Sequence, residues 1–204
     1  MPANDDAIVP TSVPPSVPTS ITRARAFVGR GRFLLGAGGR DPGAAGPEGA
    51  CGSRVGCDGP GFVAWCLGYD RYEPAFAGGW DWVEPDAMIL EAESAGRWFQ
   101  PLAIPEVGAL IVYPSIELVR AGRIDRRGHV GLVAAVPVSW PRDDARWTAL
   151  RVIHCAASLQ RRYGHAIGET HAVAWSSRAT FQGQSHPRWR TRFLRYVRDR
   201  VRSP

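Results

Sequence analysis

The stretch GCDGPGFVAWCLG at residues 56–68 constrains this chain most. Pro60 stands where a first helical residue is tolerated, and Phe62, Val63, Trp65, Cys66 and Leu67 follow it as an apolar run. The pattern predicts a loop turning into a buried helix. Such a junction aims backbone N–H groups and the positive end of the helix dipole at whatever lies in front of it. A cysteine nucleophile profits there, because thiolate is favoured over thiol. The residue at this junction is Gly59, which carries no side chain at all.

Residues 1–20 hold five Pro together with Ser and Thr, which predicts a disordered leader ahead of one domain at 21–204. Ser20 is placed to cap a helix through Ile21, Ala24, Phe27 and Val28 to about Leu35. The Gly-rich segment 36–61 cannot form a core and is expected to wrap over one. Its length marks a site, and the lack of a following GK[ST] argues against a phosphate loop. A second helix is expected from Pro85 to about Trp98. From Gly108 onward the pattern turns to strands, at 109–113, 129–136 and 150–156, while 192–197 reads as strand or helix. Residues 138–148 read as a loop or hairpin tip. Helices first and antiparallel strands second define an α+β class.

With 204 residues, 45% of them hydrophobic, the chain is long enough to bury a sizeable core. No apolar run approaches transmembrane length. The first residues have neither a basic start nor an apolar stretch, which predicts a cytoplasmic protein or export without such a signal. The net charge is +6 and every basic residue is Arg, seven of them within 186–204. That segment reads as a solvated edge; its alternative is an adaptor surface for nucleic acid or an acidic partner. The four cysteines, Cys51, Cys57, Cys66 and Cys155, form no CxxC pair, so neither a zinc site nor a redox dithiol is read from their spacing. Cys66 is expected in the core.

Two histidines fall on predicted strands. His129 begins the second and His154 lies near the end of the third. If these strands are antiparallel neighbours, both imidazoles reach one end of the sheet. A helix N-terminus packed there completes a nucleophile, base and orienter arrangement. The competing reading is two satisfied core histidines. His165, His171 and His186 receive no role. A metal set of Cys57, Asp58, His129 and His154 has no recognised spacing, so no metal and no cofactor are assigned.

In combination, these segments resemble the NlpC/P60 family of papain-like cysteine peptidases over roughly residues 23–197. RFLLGAGG at 32–39 is similar to the family's Tyr-x-x-Gly-Gly loop, and CDGPGFVAW at 57–65 to Asp-Cys-Ser-Gly-Phe-Val. PEVGALIVY at 105–113 resembles the Pro-Gly-Asp-Leu strand, GHVGLV at 128–133 the strand of the catalytic His, and VIHCAAS at 152–158 the strand of the orienting residue. The resemblance implies helices packed on a central antiparallel sheet, cleavage of cell-wall stem peptides, His129 as base and His154 as orienter. It aligns Asp58 with the family Asp, Gly59 with the nucleophilic Cys, Pro60 with the following Ser and Phe33 with the loop Tyr. The reactive atoms are therefore missing while the frame is kept. A pseudoenzyme that binds a stem peptide or a protein partner in a groove of Phe33, Asp58, Gly59, Pro60, His129 and His154 is implied, the lost side chains enlarging that groove. The alternative is an active peptidase using Cys57, which stands two residues too early.

Overall fold

The computed structural model describes residues 17–49, 56–72, 82–94, 96–115, 117–120, 123–126, 128–138, 145–172 and 191–197. Residues 1–16 of the expected leader, Cys51, His186 and most of the Arg-rich tail lie outside them, and the last two leader positions, Thr19 and Ser20, belong to the first helix. Helix α1 spans Thr19–Ala26, α2 spans Gly59–Leu67 and α3 spans Pro85–Ser94. Strands follow as β1 Phe99–Leu102, β2 Leu110–Tyr113, β3 Glu117–Arg120, β4 Arg123–Arg126 and β5 His129–Ala135. Then come α4 Ala145–Ala149, β6 Arg151–Cys155, α5 Ala157–Tyr163, β7 Ile167–His171 and β8 Arg192–Tyr196.

The class is α+β. Six strands form one antiparallel sheet in the order β1-β8-β2-β5-β6-β7, and β3-β4 form a separate hairpin. The three anticipated strand runs become β2, β5 and β6, and the ambiguous segment at 192–197 is strand β8. Its aromatic and apolar residues gain a place between β1 and β2, where Leu194 is 1% exposed. The N-terminal helix is shorter than anticipated. It starts after Pro18, so Ser20 lies inside its first turn and is no cap. It stops at Phe27 because Gly29 and Gly31 take left-handed backbone with φ of 82° and 77°. The helix after Pro85 ends at Ser94, not near Trp98; Gly96 turns the chain and Phe99 opens an edge strand.

Helix α2 is apolar on every side, and every residue from Gly59 to Cys66 is buried. Its neighbours in the main core cluster include Ile21 and Ala24 of α1, Val130, Leu132 and Ala134 of β5, and Ile153 and Cys155 of β6. A second cluster with Ile111, Val133, Leu150 and Val152 fills the opposite face, where Trp147 of α4 stacks on Phe193. Both faces of the sheet are thus covered, which explains why β2 is a continuous apolar run. Gly68 closes α2 in left-handed conformation at φ 79°, and the Arg23 Nη1 donates to the Trp65 carbonyl at 2.9 Å. Among the described residues no helix is long and apolar enough to cross a membrane.

Candidate functional site

The site begins with the loop that precedes α2. The described loop residues of the Gly-rich segment, 36–49 and 56–58, lie against the core, and their contacts are specific. Asp58 is the N-cap, and its Oδ1 accepts from the Gly61 N–H at 2.8 Å. Its Oδ2 accepts from the Gly36 N–H at 2.8 Å. Arg71 Nη1 completes the set at 2.7 Å from Oδ1, inside a site where Arg71 is 1% exposed. The same Nη1 reaches the Ala37 carbonyl at 3.2 Å. Trp65 Nε1 donates to the Ala44 carbonyl, and Tyr72 Oη to the Gly36 carbonyl. One carboxylate therefore fixes both the loop and the helix start. The expectation that Asp58 lines a binding groove gives way to this finding: both its oxygens are occupied within the fold. Arg71 had no motif to reveal it; only the folded chain brings it to Asp58 across 13 positions of sequence.

Gly59 follows at the first turn of α2. A Cβ placed there lies 3.0 Å from His129 Nδ1 and 3.1 Å from its Cε1. Position 59 and His129 are thus neighbours. The space released by the missing side chain is taken up by the imidazole, so the groove is not enlarged at this point. His129 opens β5 opposite Tyr113 of β2, whose ring centroid lies 5.9 Å from the imidazole.

Strands β5 and β6 are antiparallel neighbours, and the two histidines meet as their sequence positions implied. His129 Nε2 and His154 Nδ1 are 2.9 Å apart, and His154 Nε2 lies 3.1 Å from Thr170 Oγ1 on β7. The result is a relay from position 59 through two imidazoles to a hydroxyl. Thr170 was not anticipated, because β7 carried no strand signal in the sequence. Gly131 was also missed. A Cβ there comes within 2.6 Å of Val152 Cγ1 and 3.1 Å of His154 Cβ, so glycine is what lets β6 bring His154 close.

His154 is 8% exposed, and burial pushes its pKa down to about 4. It is neutral at physiological pH and carries one N–H. If Thr170 Oγ1 accepts that proton, His154 Nδ1 accepts from His129 Nε2–H, and the lone pair of His129 Nδ1 is directed at position 59. That is the tautomer a base needs.

The depressed value sets a pH dependence. The unfolded histidine protonates near 6.5 and the folded one near 4, so folding is fully favoured above about 6.5 and loses ground as pH falls towards 4. The expected loss is on the order of 3 kcal/mol. Denaturant titrations at pH 7 and pH 4.5 check it, with His154→Gln expected to flatten the slope. A slope that persists unchanged in that variant assigns it to other groups.

Of the remaining anticipated residues, Pro60 is buried in the first turn of α2. Phe33 packs against the main core cluster, forms a bridge with Cys57, and its N–H donates to Gln160 Oε1. Cys66 is 2% exposed, and burial, then Cys57, push its thiol up, which fits a core role. Cys57 is fully buried and its sulfur lies 3.5 Å from Cys155 Sγ. The sulfur is therefore turned onto β6 within the core, while His129 lies at position 59. His171 and His165 accept or donate only to nearby strand and loop groups in the contacts seen, Thr148 O and Arg151 for the first, Ile167 O for the second. Among the described residues no group of three or more His, Cys, Asp or Glu is arranged to hold a metal ion. Comparison with protein-family models, with curated proteins and with solved structures gives no match to this chain.

Proposed function

We propose that this chain is an NlpC/P60-like domain with a silent catalytic centre, which binds a peptide of the cell-wall stem type instead of cleaving it. The observation that carries this reading is the 3.0 Å approach of His129 Nδ1 to a Cβ at position 59. A base, its orienter and a helix N-terminus converge where a nucleophile belongs, and the residue there is glycine. Covalent catalysis needs a nucleophilic atom, so the convergence is left with binding. His129, half-buried beside Tyr113, offers an aromatic flank to the peptide. Phe33 supplies the apolar side of the groove in this reading.

Turning Cys57 into the nucleophile requires its sulfur to leave Cys155 and the core, so the peptidase alternative is the weaker reading. Of the Arg-rich segment behind the adaptor alternative, Arg192 and Arg195 lie on β8 and pair with Glu93 and Glu106, and its other Arg residues lie outside those described. Isothermal calorimetry with synthetic stem peptides tests the proposal. Saturable heat at micromolar peptide, lost in His129→Ala, is the expected result; no heat from any stem peptide removes the ligand assignment.

A further inference from the structure

Two sulfurs take no part in the histidine relay. Cys57 and Cys155 are both fully buried, with Sγ atoms 3.5 Å apart, and they join segments 98 positions apart in sequence. The Cys155 sulfur also lies 3.2 Å from the Cys57 carbonyl oxygen. Cys57 sits in a one-residue bridge to Phe33, immediately before Asp58. Cys155 ends β6, immediately after His154. A disulfide has an S–S distance of about 2.0 Å, so the sulfurs need to approach by about 1.5 Å. Cys155 belongs to a strand paired on both sides, and Cys57 is held by its bridge to Phe33 and by the fastened Asp58 next to it, so the approach falls to rotation of the two side chains.

We propose that Cys57 and Cys155 form an oxidation site, at which hydrogen peroxide converts the two thiols into a disulfide. A peroxide suits the burial, because a bulky disulfide reagent cannot pass where both side chains are fully covered. The Cys57 sulfur attacks the O–O bond, which breaks to give a sulfenic acid and one water. The Cys155 sulfur then attacks the sulfenic sulfur; the S–S bond forms, the S–O bond breaks and a second water leaves. Two thiols and one peroxide give one disulfide and two waters, and the two electrons lost by sulfur reduce the peroxide. The hydrogen-bonding contact with Cys57, then burial, push the Cys155 thiol up, which leaves it little thiolate and makes its attack on the sulfenic sulfur the slow step. The new bond fastens the residue before the α2 cap to the residue after His154, tying the helix start to the strand of the second histidine. This site is independent of whether the histidine pair binds a peptide.

The test is oxidation of the native full chain with hydrogen peroxide, then digestion without reductant and peptide mapping by mass spectrometry. The expected product is a Cys57–Cys155 linked peptide, lighter by two hydrogen atoms, abolished by dithiothreitol and retained in Cys66→Ala. Cys155→Ala is expected to give Cys57 as a sulfenic or higher oxide instead. Should Cys155→Ala fail to fold, the wild-type and Cys66→Ala maps decide alone. Recovery of Cys57 and Cys155 as free thiols, as separate oxides or in bridges to Cys51 or Cys66 overturns the proposal.

Discussion

Arg71→Ala is expected to destabilise the fold by about 3–5 kcal/mol, since it strips the cation from a buried ion pair and leaves the carboxylate behind. Arg71 is 1% exposed and its Nη1 holds both Asp58 and the Ala37 carbonyl. Its guanidinium also lies 5.6 Å from the Tyr72 ring centroid and 5.8 Å from that of Trp82. The partner change, Asp58→Asn, keeps an acceptor for the helix cap but buries an unpaired Arg71, so a similar loss is expected. The double variant is expected to lose clearly less than the sum, because neither charge is then stranded. Chemical denaturation of the four proteins gives the cycle. A cost below about 1 kcal/mol for Arg71→Ala, typical of an exposed pair, contradicts the buried-pair account.

The second large effect separates two glycines of the same helix turn. A Cβ at Gly61 falls 2.3 Å from the Ala37 carbonyl oxygen and 2.9 Å from Gly38 backbone atoms. Those atoms are main chain and cannot turn aside. Gly61→Ala is expected to cost at least about 3 kcal/mol, visible as loss of soluble folded protein or a collapsed melting transition. At Gly59 the nearest atoms are those of the His129 side chain at 3.0 Å, with the Val130 carbonyl oxygen at 3.3 Å, and both need to yield only by a few tenths of an ångström. Gly59→Cys is therefore expected to fold. Its thiol, at a helix N-terminus beside an imidazole, is expected to alkylate with iodoacetamide at pH 6 on the order of a hundredfold faster than an ordinary thiol. Adding His129→Ala is expected to remove most of that gain. An introduced thiol no faster than a free cysteine would show that position 59 does not face the His129 imidazole.

Much of the fold was legible because it rests on local chemistry. Pro60 and the apolar run after it announce α2, and Gly68 ends it. The apolar runs at 110–113, 129–135 and 151–155 became strands because continuous β-branched and aliphatic segments suit a sheet covered on both faces. Strand β7, IGETH, was not legible, since Gly, Glu and Thr there alternate without an apolar signal; the ladder to β6 makes it a strand. Edge strand β1 was not anticipated: the helix before it was expected to run to about Trp98, whereas it ends at Ser94 and Gly96 turns the chain into the strand.

The site divides the same way. The sequence by itself put a helix start at Gly59 and a histidine on each of two strands, because side-chain type and hydrophobic period are local properties. It also established that no sulfur or hydroxyl stands at that helix start. Only the tertiary structure decided the rest. Ladder register brings His129 Nε2 to His154 Nδ1 and adds Thr170 from a third strand. Burial makes Asp58 and Arg71 a fastening instead of a binding surface. Packing turns Cys57 onto Cys155 and lets the His129 ring settle over Gly59. Such distances depend on segments remote in sequence, and one missing Cβ is felt only by the neighbour that fills its place.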